Sequence, residues 1–310
     1  MIITPDVVGI DVSKHTLDVF DAGLSRSETV PNSLQATAAL AGALAGRGRF
    51  VVLEATGRYD GRLRRALEAA GVAYARVNPG RARDFARAAG FLAKTDKVDA
   101  RMLARLGEAL RPAPAEPTDA ARERLTRLHR RRDQLVAMRK QERARLSEAA
   151  EDDLLDDLQR HLAWLGAQIA HLGKLIAQAI AADLRLKQTC DILRSLPGVG
   201  PVTATTLVAL VPELGRRSPK TIAALAGLAP LNRDSGLHRG RRSIRGGRRR
   251  VRQALYMAAV SACRSDSRFA LAYRALLAAG KAPKLALIAV ARRLLVTANA
   301  MVRDQQCFTT

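Results

Sequence analysis

The chain of 310 residues is 48% hydrophobic with a formal net charge of +23, long enough for two domains with real cores and self-repulsive unless a polyanion neutralises it. An aromatic share of only 4% requires those cores to be built from Ala, Leu and Val. Cys190, Cys263 and Cys307 are too scattered for a metal site or a disulfide framework, there is no signal peptide, and no uninterrupted apolar run is long enough to span a bilayer, so a cytoplasmic protein without a membrane partner is expected.

Residues 7–20 (VVGIDVSKHTLDVF) alternate β-branched residues around Lys14–His15 and predict two strands. Another strand follows Ser27, and the Ala/Leu-rich stretch 34–46 suits a short helix. Phe50–Ala55 (FVVLEA) is a continuous apolar run of the kind found in a strand covered on both faces. Gly57 ends it, Tyr59–Ala70 has helical spacing, Gly71 stops that helix, and Val72–Val77 predicts a further strand. Helices over Arg81–Ala89 and Asp96–Leu110 complete a mixed α/β layer with helices on its faces. Pro112, Pro114 and Pro117 cannot continue a helix, so the first domain is drawn as 1–111.

Residues 112–190 read as a linker followed by a helical, coiled-coil arm. A charged helix over about Asp119–Ala150 precedes Leu158, Leu162, Leu165, Ile169, Leu172 and Ile176, whose alternating four- and three-residue steps form an apolar seam. The two helices either close on each other as a hairpin or join protomers of a homo-oligomer, a dimer or tetramer; the spacing leaves both open.

Residues 191–310 read as a mostly α-helical domain. A tight turn at Leu196–Pro201 leads into an apolar helix over Val202–Leu210, and further helices are predicted at Thr221–Ala229, Arg248–Ala262, Phe269–Ala279 and Lys284–Arg303. This segment holds 21 Lys and Arg against 5 Asp and Glu. Its most basic stretch contains Arg233, Arg239, Arg241, Arg242, Arg245, Arg248, Arg249, Arg250 and Arg252, interrupted by glycines. Guanidinium groups hold phosphates through paired hydrogen bonds, so these nine are the candidate nucleic-acid contacts, positioning the backbone rather than reading bases.

Four acids in the first domain suggest chemistry. Asp11 lies in or at the end of the first strand, Glu54 ends the apolar strand, and Asp96 and Asp99 share one face of a helix start. Carboxylates from separate elements repel unless a cation joins them, and hard oxygens suit Mg²⁺, which at such a site promotes phosphodiester chemistry. Singly, Asp11 is equally a turn residue and Asp96 and Asp99 equally helix caps; Glu54, in an apolar strand, needs a partner. Ser235, flanked by Gly236 among arginines, is a candidate nucleophile for phosphorus, with an ordinary loop serine as the plain alternative and Ser243 as its competitor.

The motifs GIDVSK, VVLEATGRY and AKTDKVDARMLA resemble the N-terminal RNase H-like (resolvase-like) domain of the DEDD transposases of the insertion-sequence-110 family, and PGVGPVTATTL, ALAGLAP, DSG and RGGRRRVRQALYMA resemble that family's C-terminal domain. The likeness implies that Asp11, Glu54, Asp96 and Asp99 are the metal-binding acids and Ser235 the catalytic serine. It implies donor and target DNA as substrates, a structured bridge RNA as guide, and a nucleoid-associated recombinase whose acids and serine come from different domains. The rival readings are a metal-dependent endonuclease or junction resolvase that uses water, and a nucleic-acid-binding protein without catalysis.

Overall fold

The computed structural model describes residues 6–55, 57, 59–91, 96–117, 119–231 and 243–309, apart from the side chains of Asp96, Lys97 and Leu231. The chain divides into two compact units, Met1–Thr118 and Asp119–Thr310.

In the first unit, β1 (Val7–Val12), β2 (Thr16–Asp21), β3 (Arg26–Pro31), β4 (Phe50–Glu54) and β5 (Tyr74–Val77) form one sheet in the order β3-β2-β1-β4-β5. β1 pairs antiparallel with β2 and β2 with β3, while β4 pairs parallel with β1 and β5 parallel with β4. The hairpin turn falls at Lys14–His15 as the sequence predicts. Strand alternation sends side chains to opposite faces. Val8, Ile10, Val12, Val51 and Leu53 pack under α1 (Leu34–Ala45) and α2 (Gly61–Ala69). Val7, Phe20, Val52 and Val77 pack with Ala82 of α3 (Pro79–Ala88) and with Ala100, Leu103 and Ala104 of α4 (Asp96–Leu110). This is the mixed layer with helices on its faces that the element order predicts, and β4 is indeed covered on both sides.

The second unit begins with α5 (Ala120–Glu148) and α6 (Asp152–Ala181), which fold against each other as a hairpin. Leu135, Leu165 and Ile169 are buried between them, with Val136 and Leu172 beside them. Toward its tip the hairpin is tied by Glu142, which accepts from Arg145 at 2.6 Å and pairs with His161 Nδ1 at 2.9 Å. At its base Arg122 donates to the Val208 carbonyl at 2.6 Å and Thr126 to the Ala209 carbonyl at 2.9 Å. The seam leucines therefore serve this hairpin and, through Ile176 and Ile180, the main core of the unit.

That core is shared by α7 (Leu184–Arg194), α8 (Pro201–Leu210), α9 (Pro219–Leu225), α10 (Arg249–Ala262), α11 (Arg268–Ala278) and α12 (Pro283–Asp304). A short antiparallel pair, β6 (Pro230–Leu231) and β7 (Ser243–Ile244), stands between α9 and α10. The sequence reading missed α7 and this pair. The α7–α8 turn needs its glycine: Gly198 has φ +79°, and a Cβ there would stand 2.3 Å from the Ala258 carbonyl oxygen. α12 is long and apolar enough to cross a membrane by length and composition, yet half of its most apolar window is buried in this unit and Arg292–Arg293 interrupts it. Val290, Ala291, Leu294, Leu295 and Ala298 make it a core helix.

His129 on α5 is only 2% exposed, and neither ring nitrogen has a hydrogen-bond partner. Burial lowers its pKa from the usual 6.5 to about 4, with Asp133 opposing and Arg250 and Arg132 adding to the shift. Between pH 6.5 and about 4 the unfolded chain takes up a proton that the folded chain refuses, so stability is full above that window and falls by ~1.4 kcal/mol per pH unit as pH drops through it. His129→Leu should abolish this part of the acid sensitivity and, by removing two unpaired buried nitrogens, add ~1 kcal/mol at neutral pH. Denaturant unfolding at pH 7 and pH 4.5 checks both; an unchanged difference between the two pH values in the variant overturns the assignment.

Candidate functional site

The acids of the first unit are positioned by how closely α4 lies on β1. A Cβ on Gly9 would sit 2.0 Å from the Ala100 carbonyl oxygen and 2.5 Å from the Ala104 nitrogen. One on Gly107 would sit 2.6 Å from Val7 Cγ1 and 2.7 Å from Val52 Cγ2. Helix and strand are thus in backbone contact and run in opposite directions, because Ala100 and Ala104 meet residue 9 whereas Gly107 meets residue 7. The start of α4, with Asp96 and Asp99, therefore lies at the C-terminal end of β1.

Asp11 is near that end of β1 and Glu54 is the last residue of β4. Both follow the alternation of Val7, Gly9 and Val52, so both belong to the face that α4 covers. They stand one step beyond the registered parallel pair Ile10–Leu53, at the ~4.8 Å spacing of neighbouring strands. Asp11, Glu54 and Asp99 are half-buried. Asp11 is thus a strand residue and not part of a surface turn.

Asp18, which the sequence reading missed, belongs with them. It is the cross-strand partner of Asp11 on β2, only 7% exposed, and accepts a 2.6 Å hydrogen bond from the Thr29 hydroxyl. Asp18, Asp11 and Glu54 make a row of carboxylates across three neighbouring strands on one face, and acids placed directly opposite repel. A hard divalent cation suits this donor set. Among the described residues, however, no three His, Cys, Asp or Glu side chains are gathered as a metal ion requires, and the Asp96 side chain lies outside them. The shared face, and not a preformed cage, is what the fold supplies.

In the second unit the nine arginines separate. Arg233, Arg239, Arg241 and Arg242 lie outside the described residues, as does Ser235. Arg248, at the N-cap of α10, donates through both terminal nitrogens to Glu213, each at 2.6 Å. Burial alone would raise the Glu213 pKa, but the hydrogen bonds and charge of Arg248 outweigh it and hold the carboxyl below its ordinary value. Arg250 Nε donates to Asp133 on α5 at 2.6 Å. Arg252 Nη1 donates to the Gly246 carbonyl at 2.7 Å. These three, all read from sequence as phosphate contacts, are half-buried and bonded within the unit, whereas Arg245 and Arg249 are exposed. Ser243 pairs with Leu231 in the short sheet. The acid that claims Arg248 lies 35 residues away, which is why charge counting along the segment gave no sign of it.

Residues 190–274 match a family described as Transposase IS116/IS110/IS902, and residues 8–152 match a DEDD transposase family of the insertion-sequence-110 type. The chain is 32% identical over 267 residues to the "Pilin gene-inverting protein" of Moraxella bovis, covering 83% of this chain and 81% of that one. The protein of the same name from Moraxella lacunata is 31% identical with the same coverage. An "Insertion element IS116 uncharacterized 44.8 kDa protein" of Streptomyces clavuligerus is 33% identical over 50% of this chain and 39% of its own length. The five-stranded mixed sheet accords with an RNase H-like domain in the region of the DEDD match.

Three outcomes follow from the geometry. Gly9→Ala should force α4 off β1, costing ~1–3 kcal/mol of stability, read by denaturant unfolding; an unfolding midpoint equal to the parent's would show that the contact is not tight. Arg248→Ala should lower the melting temperature by stranding half-buried Glu213 without changing the salt dependence of DNA binding. Arg245→Ala should do the reverse, reducing the salt slope by about one.

Proposed function

The chain belongs to the IS116/IS110/IS902 transposase family and is a DNA transposase or recombinase; from that premise we propose that it cuts and rejoins strands with a divalent-cation site beneath α4 and with Ser235 as nucleophile. The observation that carries the proposal is the shared face: Asp11 and Glu54 at neighbouring strand ends, covered by the helix that begins with Asp96 and Asp99. These four acids would hold the cation, for which Mg²⁺ is the hard ion that carboxylate oxygens suit. A cation held there would polarise the scissile phosphate and offset developing negative charge.

The chain's own residues do the rest. Ser235 Oγ attacks phosphorus, the bond from phosphorus to the leaving sugar oxygen breaks, and that oxygen departs with the serine proton. The cut end is held as a serine phosphodiester. A sugar hydroxyl from the incoming strand then attacks the same phosphorus, and Ser235 Oγ leaves and recovers a proton. Each step exchanges one phosphate ester bond for another, so rejoining needs no outside energy source. The arginines around Ser235, together with exposed Arg245 and Arg249, hold the phosphate backbone. Donor and target DNA are selected by pairing with a structured bridge RNA, a reading supported by the family resemblance and by a basic chain suited to backbones rather than bases.

The Moraxella relatives are named for inverting a pilin gene. An inversion demands that every cut end be rejoined, whereas a nuclease using water leaves ends open. This favours covalent strand exchange over the hydrolytic alternative, and the row of acids favours catalysis over binding alone.

Incubation of the chain with DNA, candidate flanking RNA and Mg²⁺, followed by a denaturing gel, tests the proposal. A covalent protein–DNA adduct is expected from the parent chain and none from Ser235→Ala. Asp11→Ala and EDTA should each reduce adduct formation at least ~10³-fold. Undiminished cutting by Ser235→Ala, with no adduct from any form, would establish the hydrolytic reading instead.

A further inference from the structure

The helical hairpin divides its charge between its two helices, and a count along the chain hides the division. Residues 120–181 hold 12 Lys and Arg against 9 Asp and Glu, which is close to balance. The acids collect at the start of α6, where Asp152, Asp153, Asp156 and Asp157 are exposed. On α5, every exposed charged residue between positions 124 and 147 is a cation. The acids within that stretch are turned inward and bonded: Asp133 accepts from Arg250, and buried Glu142 is held by Arg145 and His161. Helical spacing gathers part of the charge on one face. Arg124, Arg127, Arg131 and Arg145 are exposed and separated by whole three- and four-residue steps, which return to the same side of a helix. Arg130 stands beside them, while Leu125 and His129 are turned to the interior. Arg124, Arg130 and Arg131 have no acidic partner among the described residues. Arg127 and Arg145 do reach Glu123 and Glu142, at 3.6 Å and 2.6 Å, yet each is 65% exposed.

We propose that this face of α5 is a docking surface for the phosphate backbone of duplex DNA, in addition to the basic stretch before α10. Like charges at these spacings weaken a helix, and solubility is served as well by mixed signs. A row of one sign is therefore matched to an opposite charge laid against it. From Arg124 to Arg145 the face runs for ~32 Å, close to the ~34 Å of one duplex turn. Guanidinium forks hold phosphate oxygens in pairs, and each phosphate neutralised releases condensed counterions. Contacts of this kind fix the position of a duplex without reading its bases. A second copy of the chain seated symmetrically on the same face would set arginine against arginine. DNA is what a transposase of this family acts on, and its charge is the complement that the face lacks.

Two double variants of the full chain, each removing two positive charges, test the face. Glutamine replaces each cation because its helix propensity is close to that of Arg and Lys. Arg124→Gln with Arg131→Gln alters the face, whereas Lys140→Gln with Arg143→Gln alters exposed cations of α5 that helical spacing places off it. Affinity for duplex DNA is measured across a salt series, beside affinity for the flanking RNA and sedimentation of the free chain. The first variant should lower the slope of log affinity against log salt by about two, and the second should keep the parent's slope. If the first melts below the assay temperature, Arg127→Gln alone decides, with an expected drop of about one. Equal losses in the two double variants would reduce the effect to net charge and overturn the proposal. A parent-like slope for the first would make the face merely solvated and overturn it too. With DNA binding unchanged, a loss on RNA would assign the face to a guide, and a shift in sedimentation would assign it to a second copy; either result sinks the DNA surface. None of these measurements involves Ser235 or the acids of the first unit, so failure of the strand-exchange reading is registered separately.

Discussion

The first unit depends on one contact, the approach of α4 to the backbone of β1. It is possible only because residue 9 is glycine and the facing helix positions are Ala100, Ala104 and Gly107. Small residues on both sides let main chains touch, and the contact fixes the register of helix against strand as a bulky interface would not. Once the register is fixed, the start of α4 lies at the C-terminal ends of β1 and β4, and the residues there are Asp96 and Asp99. The chemistry proposed for the unit is thus set by steric constraints several residues away from it. The aromatic-poor composition belongs to the same arrangement, since an Ala- and Val-rich layer allows a helix to settle this low on a sheet.

The second unit shows how net charge can mislead about individual residues. Residues 119–310 hold 35 Lys and Arg against 16 Asp and Glu, so the cations outnumber the acids about two to one and compete for them. The competition is settled by geometry. Glu213 takes Arg248, Asp133 takes Arg250, and the Gly246 carbonyl takes Arg252. These residues lie at or near the start of α10, where a helix leaves amide hydrogens and not carbonyls unsatisfied. Bringing cations to that end opposes the helix dipole, and the arrangement is maintained because each guanidinium is bonded to a group outside the helix.

Much of this was legible in the sequence. The hairpin at Lys14–His15, the apolar β4, the helix from Asp96 to Leu110 and the seam in α6 each carry a local periodicity strong enough to fix type and place. α7 was overlooked although Asp183 caps it, accepting from Arg185 N at 2.9 Å and Leu186 N at 3.1 Å, and Leu186, Cys190 and Leu193 supply its buried face. Its polar remainder, LRLKQTCDILR, hides that spacing. Asp18 was passed over because it looks like the polar half of an ordinary alternating strand; only the cross-strand register brings it opposite Asp11. The β6–β7 pair is two residues on each side, too short to carry any period. The Arg248–Glu213 pair escaped for another reason: its two members lie 35 residues apart, beyond any window along the chain.

The separation of charges has its own logic on the proposed reading. Carboxylates repel a phosphodiester, so the proposed acid site attracts DNA only once a cation is held there. A cation reverses the local sign at the reacting phosphate, but an ion held by carboxylates leaves little net attraction at the distance of a helical turn of DNA, given a Debye length of ~8 Å in physiological salt. Affinity has to come from elsewhere in the molecule. The first unit is nearly balanced, with 16 Lys and Arg against 12 Asp and Glu over residues 1–110, and the excess positive charge is carried by the second. Dividing acid chemistry from basic affinity lets each be strong: arginines placed among the acids would form salt bridges with them and occupy the oxygens that a metal needs. The bonded state of Arg248 and Arg250 shows this outcome wherever an arginine and a half-buried acid do meet.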